Sequence, residues 1–482
     1  MQVKRQSIAH NTGWLSGVNL LIKPLSFVFI ILATRLLGPD DFGKFAFTTS
    51  IVSFIYVFFE GGINIHTVRS ISADKDNFDN NFYLQLFLKA GGGLLTGIAA
   101  IIFLLFTNYE STIVYLTLIA IIFIIFNALM LHLRMYFRAF EVMKYESYSI
   151  AFEKFGLILI CGSLLFISQN VVLFTAFYAI TYFITFLYTL VLLIKVIGRP
   201  KFHFPLSRIY NDVIVPASPF ALMNILITGR ASAGTLLLKF IKQKDTSVGY
   251  YSAPYRLLSS FLLFPNMITK PLLPVIVRIQ ERMRYVKRLL NSTARFLLGI
   301  AALVAFPLFL LHKPITILLF GPSFAPAATT LSIIALNMIP AALIQLASMV
   351  VAATNRQNEV NKLFIFETIT TIVLYGILIY FYSYIGAAVA SIIGDTIYLS
   401  INFWVVRDYI RGSGIFTLLV KLVLILMIIT FYQATPFFPA NHILGFIVVI
   451  ALILAGLFGL QIIRKHEIRN LQKMFHDMFH SK

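Results

Sequence analysis

Fourteen stretches of this 482-residue chain are apolar and long enough to cross a bilayer. They run 12–36, 42–67, 82–106, 112–137, 146–168, 171–195, 211–238, 247–275, 292–312, 326–353, 359–382, 385–406, 414–433 and 440–463. A spanning helix needs about 20 mainly apolar residues, and in the hydrocarbon core its backbone groups must bond within the helix. A short re-entrant piece also fits at 314–320. The connections are no longer than about 20 residues, which leaves no room for a folded domain outside the membrane. The first apolar stretch is too long for a signal peptide and lacks a small-residue cleavage site. Hydrophobic residues make up 59% and charged residues 12%, where a soluble domain carries about 25% charge. The expectation is therefore an all-α polytopic membrane protein; a soluble enzyme and a disordered chain are excluded.

The formal net charge is +20. In a soluble protein such an excess suggests nucleic acid, but in a membrane protein Lys and Arg in the loops set the topology. With a cytoplasmic N-terminus, 26 of the 39 basic residues fall in inner segments, 6 in outer loops and 7 inside spans. That asymmetry predicts both termini in the cytoplasm, and no nucleic-acid partner. Lys239, Lys242 and Lys244 are the local exception. Cys161 is the only cysteine, so no intrachain disulfide can form.

The two halves echo each other at an offset of 206. Asp41-Phe-Gly43-Lys-Phe-Ala46 opens the second stretch and Ser247-Val-Gly249-Tyr-Tyr-Ser252 the eighth, with Gly43 matching Gly249, Phe45 matching Tyr251 and Ser53 matching Ser259. This pattern predicts two pseudo-symmetric six-helix lobes, 1–208 and 209–408, an accessory helix pair at 409–463 and a basic amphipathic tail at 464–482. Parallel repeats of this kind occur in transporters that rock about a midplane site.

Polar residues inside the stretches fall on helical faces. Thr12, Ser16, Asn19, Lys23 and Ser26 share one face, and Thr49, Ser53, Tyr56 and Glu60 another. Ser252, Arg256, Ser259, Asn266 and Lys270 form a third stripe, and Ser391, Asp395, Tyr398 and Asn402 a fourth. An intramembrane charge costs about 2.5–3.5 kcal/mol even on the lenient insertion scale, so such stripes are expected to face a wet cavity or a partner. Lys23 lies near mid-span, about 16 Å from either end, too deep to snorkel easily. Arg256 and Lys270 lie nearer the ends, and Arg230 does not share the face of Asn224 and Thr228. Lys89 and Lys421 are expected to snorkel to the interface, and Lys154 to pair with its neighbour Glu153. Lys23, Arg256, Lys270 and Arg230 are thus the candidate anion-binding residues, and Asn19, Ser53, Ser259 and Asn266 the candidate polar lining. Glu60, Asp395 and Glu367 are either structural counter-ions or groups that titrate to couple an ion. Seven intramembrane bases face four acids, a balance that favours an anionic head group such as a phosphate over a cationic drug.

No motif of catalysis is present. There is no GxxxxGK[ST], HExxH or GxSxG, so no enzyme activity and no cofactor are expected. Asp74-Lys-Asp76 is a chance-level acidic pair in a charged loop, and His476 and His480 lack a third metal ligand. Gly93 and Gly97 form a GxxxG suited to helix packing. In the tail, Ile468, Leu471, Phe475 and Met478 share one face, with Arg464, Lys465, Arg469 and Lys473 elsewhere, as in a helix lying on an anionic membrane surface.

Four segments together resemble the Wzx-type polysaccharide flippases of the multidrug/oligosaccharidyl-lipid/polysaccharide exporter superfamily. They are Ala33-Thr-Arg-Leu-Leu-Gly38-Pro-Asp-Asp-Phe-Gly43, Phe59-Glu-Gly-Gly-Ile63 with Arg69 following, Val248-Gly-Tyr-Tyr-Ser-Ala253, and Leu319-Phe-Gly-Pro-Ser-Phe-Ala-Pro326. The resemblance runs to about residue 408. It implies a MATE-like, V-shaped pair of lobes around a cationic cavity, working by alternating access. It also implies a substrate, undecaprenyl-pyrophosphate-linked oligosaccharide, moved from the inner to the outer leaflet for O-antigen or other surface polysaccharide. A polysaccharide polymerase and chain-length machinery are the implied partners. Lys23 and Arg256 match the basic residues that relatives place on the first and eighth helices, whereas the second helix offers Glu60 and no buried base. The last two helices resemble an extra pair that, in fourteen-helix relatives, forms a groove for the lipid tail. A cation-coupled multidrug exporter and a lipid II flippase of the same superfamily are the alternatives. A membrane glycosyltransferase or polymerase would need catalytic acids or a large outer loop, and neither is present.

Overall fold

The computed structural model describes residues 8–75, 77–107, 109–202, 210–261, 263–436, 439 and 441–462. Side chains at 8–21, 23, 77, 80, 211, 212, 219, 263, 270 and 442 are not among those described. Among the described residues the regular structure is helical and contains no strand. The chain forms two compact units, Met1–Gly249 and Tyr250–Lys482.

The first unit contains α1 (Ile8–Glu60), α2 (Ile63–Ala73), α3 (Asn77–Leu105), α4 (Ser111–Ala139), α5 (Met143–Gly156) and α6 (Ser163–Ile167). It continues with α7 (Val171–Val196), α8 (Val215–Lys242) and the start of α9 (Asp245–Phe261). A π-helical turn, Leu157–Gly162, joins α5 to α6. Where α2, α3, α4 and α7 meet, Ile71, Phe78, Phe82, Tyr136, Phe137 and Leu193 form a buried cluster. Its rings pack edge to face, Phe78 on Tyr136 at 5.3 Å between centroids.

The second unit holds the rest of α9, then α10 (Leu263–Thr269), α11 (Leu273–Ile279), α12 (Met283–Leu310), α13 (His312–Phe320) and α14 (Ala328–Leu336). It ends with α15 (Met338–Ala353), α16 (Gln357–Val405), α17 (Arg407–Ile410), α18 (Ile415–Gln433) and α19 (His442–Gly459). Here α12 is the central helix, packed on α14, α15, α18 and α19.

By length and composition, ten helices among the described residues can cross a membrane, or eleven if the bent pair Asp245–Thr269 and Leu273–Ile279 is one span. Two of the helices are far longer than one crossing. At 53 and 49 residues, α1 and α16 would each exceed 70 Å if straight, more than twice a hydrocarbon core. Each is broken where the fourteen-stretch reading places a boundary. In α1 the break is Gly38 at φ 74°, ψ 175°, followed by Pro39; in α16 it is Ser383 at φ 52°, ψ −133°. The short piece expected at 314–320 is the nine-residue α13.

Two expected spans differ in outline. The stretch 42–67 is not one helix: α1 ends at Glu60, and Gly61 and Gly62, at φ 61° and 73°, turn the chain before α2. Hydropathy does not register a backbone turn between two apolar segments. The stretch 247–275 is bent by 40°, with a 3₁₀ turn at Lys270–Leu272 just before α11. The tail 464–482, with its expected amphipathic helix, lies outside the described residues.

Within the first unit the second half of α1 runs antiparallel to α8. Gly43 meets Asp245, Phe47 meets Phe240, Phe54 meets Gly229, and Glu60 meets Asn224. At one end two backbones touch reciprocally. A Cβ on Gly43 would fall on the Asp245 carbonyl oxygen, and a Cβ on Gly249 on the Pro39 carbonyl oxygen. Both pairs obey the offset of 206, since Pro39 corresponds to Asp245 and Gly43 to Gly249. The contact is therefore pseudo-two-fold, the same surface used twice. Only glycine leaves room for such an approach. Charges flank it: Lys44 pairs with Asp40 and Glu110, each at 3.1 Å, and Lys239 with Asp245 at 2.6 Å. Hydrogen bonding to Lys44 holds the Glu110 carboxyl below the usual range.

Candidate functional site

In the first unit a carboxylate, an ammonium and an amide meet at the end of α1. Lys89 Nζ on α3 donates to Glu60 Oε1 at 3.0 Å, and Asn224 Nδ2 on α8 donates to Glu60 Oε2 at 3.1 Å. The Lys89 side chain is fully buried, while 13% of the Glu60 side chain is exposed. Gly92, one turn beyond Lys89, permits this reach, because its Cα passes so close to Phe59 that a Cβ there would lie 3.1 Å from the Phe59 Cβ. The expected snorkelling of Lys89 is thus corrected: it points inward to an acid on a neighbouring helix, which a single sequence does not reveal. Pairing offsets the desolvation of both charges and holds the carboxylate in one orientation across three helices.

Two further polar networks are buried in this unit. His132 lies 3.2 Å from Asn64 Oδ1 and 3.1 Å from the Tyr136 hydroxyl, and Tyr136 donates to Gln85 Oε1, which also accepts from Thr67. These bonds pin α2 to α3 and α4. Glu153 accepts from Lys154 at 2.5 Å, Arg134 at 2.8 Å and Tyr182 at 3.1 Å. Lys154 pairs with its neighbour as expected, and Arg134, near the end of the expected stretch 112–137, is buried in α4.

In the second unit the fourth stripe faces neighbouring helices. Asn337, between α14 and α15, donates to Asp395, and Ser348 on α15 donates to Asn402 at 3.4 Å. Glu367 is buried and accepts from Thr371 at 2.8 Å. Ser391 bonds back to the Ala388 carbonyl. Lys421 reaches the Leu460 carbonyl at 2.8 Å and so ties α18 to the end of α19.

The other candidates divide as follows. Arg230 on α8 and Arg256 on α9 are half-buried, and Asn266 on α10 likewise. Ser259 is exposed and Ser53 half-buried, and each hydroxyl bonds to a carbonyl of its own helix, Arg256 and Thr49 respectively. The side chains of Asn19, Lys23 and Lys270 lie outside the described residues, though all three positions are helical. The structure thus joins Glu60 to Lys89 and Asn224, and Asp395 to Asn337. Among the described residues no group of three or more His, Cys, Asp or Glu side chains is arranged to hold a metal ion.

This architecture is similar to that of solved membrane transporters. The lipid II flippase MurJ in its inward closed conformation superposes with a TM-score of 0.67 at 18% identity, covering 93% of this chain and 99% of that one. An inward-facing multidrug resistance MATE family transporter of the MOP superfamily gives 0.62 at 13% identity, with 84% and 99% coverage. An outward-facing multidrug resistance MATE family transporter of the MOP superfamily gives 0.54 at 14% identity, with 85% and 99% coverage. Curated proteins provide no match. The class is therefore a multi-pass helical membrane protein with the MurJ/MATE fold. Within that class the sequence profile of the polysaccharide biosynthesis protein family matches residues 8–280. The chain belongs to that family.

Proposed function

We propose that the protein is a flippase that carries polyprenyl-pyrophosphate-linked oligosaccharide from the inner to the outer leaflet of the cytoplasmic membrane by alternating access. The observation that carries this reading is the match to the polysaccharide biosynthesis family over residues 8–280, in a chain with a transporter-type fold. In this reading Lys23, Arg230, Arg256 and Lys270 take the pyrophosphate, because cations on apolar helices are matched by a dianionic head group. Asn19, Ser53, Ser259 and Asn266 contribute polar contacts to the sugars. Reading α1 and α16 as two spans each, the bent segment as one and α19 as a short last span returns the fourteen-span count, with both termini cytoplasmic. The proposed lobes are 1–208 and 209–408, followed by the accessory pair 409–463. Asp395, Glu367 or Glu60 would couple an ion to return of the empty carrier.

The test is Lys23→Ala and Arg256→Ala in a strain that depends on this gene for surface polysaccharide. Each variant should abolish the polysaccharide while the protein still accumulates in the membrane. Normal polysaccharide from both variants would reject the pyrophosphate assignment. A second reading, a lipid II flippase, is favoured by the superposition on MurJ. Gene deletion separates the two: loss of polysaccharide with continued growth supports the first, and loss of viability the second.

A further inference from the structure

Two basic segments about 120 residues apart in sequence meet in the second unit. The first is Arg278–Arg288, which carries Arg278, Arg282, Arg284, Lys287 and Arg288 against Glu281. The second is Arg407–Arg411, with Arg407 and Arg411 against Asp408. They are fastened together: Asn291, on the third turn of α12, donates to the Ser413 carbonyl, and Lys287 Nζ lies beside Gly412. All of these bases except the half-buried Lys287 are exposed. Among the described residues none of them forms an ion pair. This contrasts with the first unit, where Arg134 and Arg138 are consumed by Glu153 and Glu146.

The level of this patch is set by the helices around it. It lies where α12 begins, α16 ends and α18 begins, all candidate spans, and so at a boundary between membrane and water. Exposed Val277 (47%), Tyr285 (57%) and Trp404 (58%) lie between the bases, and the Arg407 guanidinium stacks 5.7 Å from the Trp404 ring centroid. Aromatic rings of this kind seat at headgroup depth, while guanidinium groups pair with phosphate oxygens in bidentate fashion. We infer that this two-segment patch is a binding surface for anionic phospholipid headgroups, recognised through their phosphates by Arg282, Arg284, Arg288 and Arg411. Phosphate at this depth is supplied by lipid, and the apolar flanks have no use for a soluble anion. The consequence is a fixed anchor for the end of α12, the central helix of its unit, that depends on lipid charge.

The test uses the purified full chain in detergent. Phosphatidylglycerol and phosphatidylcholine with identical acyl chains are titrated in, and bound lipid is counted by native mass spectrometry. The wild type should retain phosphatidylglycerol preferentially. Each basic residue at a lipid surface contributes roughly fivefold, so the combined variant Arg282→Gln, Arg284→Gln, Arg288→Gln, Arg411→Gln should weaken that retention by at least about tenfold. Phosphatidylcholine should be unaffected. The same four positions changed to Lys should keep most of the preference. Arg199→Gln with Lys201→Gln, a basic connection of the first unit, should leave it intact. If the fourfold variant does not elute as a folded monodisperse species, Arg282→Gln with Arg284→Gln is measured instead, with a loss of several-fold expected. Equal retention of the two lipids by the wild type would overturn the inference. So would undiminished retention by the variants, an equal loss in the first-unit control, or displacement of the lipid by inorganic phosphate.

Discussion

Charges buried among apolar helices set the energetics of single residues here. Removing one member of a buried pair costs about 3–5 kcal/mol, because the other is left desolvated and unpaired. Lys89 is the deeper partner, so Glu60→Gln should lower the Tm in detergent and the level of protein in the membrane. The double change Glu60→Gln with Lys89→Met should recover most of both. A double variant no better than the single one would show that the pair contributes little. Glycines give a second residue-scale expectation. Gly43→Ala and Gly249→Ala place a Cβ on a backbone oxygen, which cannot rotate away, and each should destabilise by more than about 1–3 kcal/mol. Gly376→Ala, where a Cβ meets nothing within 4 Å, should be neutral or should raise the Tm through helix propensity. Glu60 was recognisable in the sequence as a charge out of place. Its partners were not, because Lys89 and Asn224 reach it only through the packing of three helices.

At the scale of elements, the breaks carry the architecture. Gly38 takes a positive φ at no steric cost, but Ser383 does not. A non-glycine residue held there costs about 1–3 kcal/mol, which exceeds the roughly 0.5–1 kcal/mol of extra chain entropy that glycine loses on folding. Ser383→Gly should therefore raise the Tm, and Ser383→Val, β-branched, should lower it sharply. Equal Tm values for the three forms would argue that the break is not fixed at this residue. Both long-helix breaks were legible, as gaps between apolar stretches at 36–42 and 382–385. The turn at Gly61-Gly62 was not, because apolar residues flank it and hydropathy averages over it. The bend after α10 was hidden for the same reason. The stripe of Ser391, Asp395 and Asn402 was legible as one face of a helix, but what that face meets was not. Asn337 and Ser348 occupy it from within the same unit.

For the whole molecule, the proposed cycle makes one further expectation. If the Asp395–Asn337 contact serves the transport cycle, Asp395→Asn and Asn337→Ala should each slow flipping of a fluorescent lipid-pyrophosphate in proteoliposomes while the protein still accumulates in the membrane. Wild-type flipping by both variants would remove this pair from the cycle. What the sequence by itself determined is what repeats along one dimension. It set the class of protein, through apolar stretches that can only be buried as helices in lipid. It also marked the charges that are expensive in a membrane. The tertiary structure alone decided what depends on two distant segments meeting. It joined Gly43 to Asp245 and Pro39 to Gly249, turning a sparse sequence echo into a reciprocal contact. It gave Glu60 a buried lysine, and it gathered two basic segments at one membrane boundary. The physical reason is the same in each case: hydropathy and helical period are local properties of a chain, whereas the pairing of a charge or the approach of two backbones is a property of neighbours that only folding supplies.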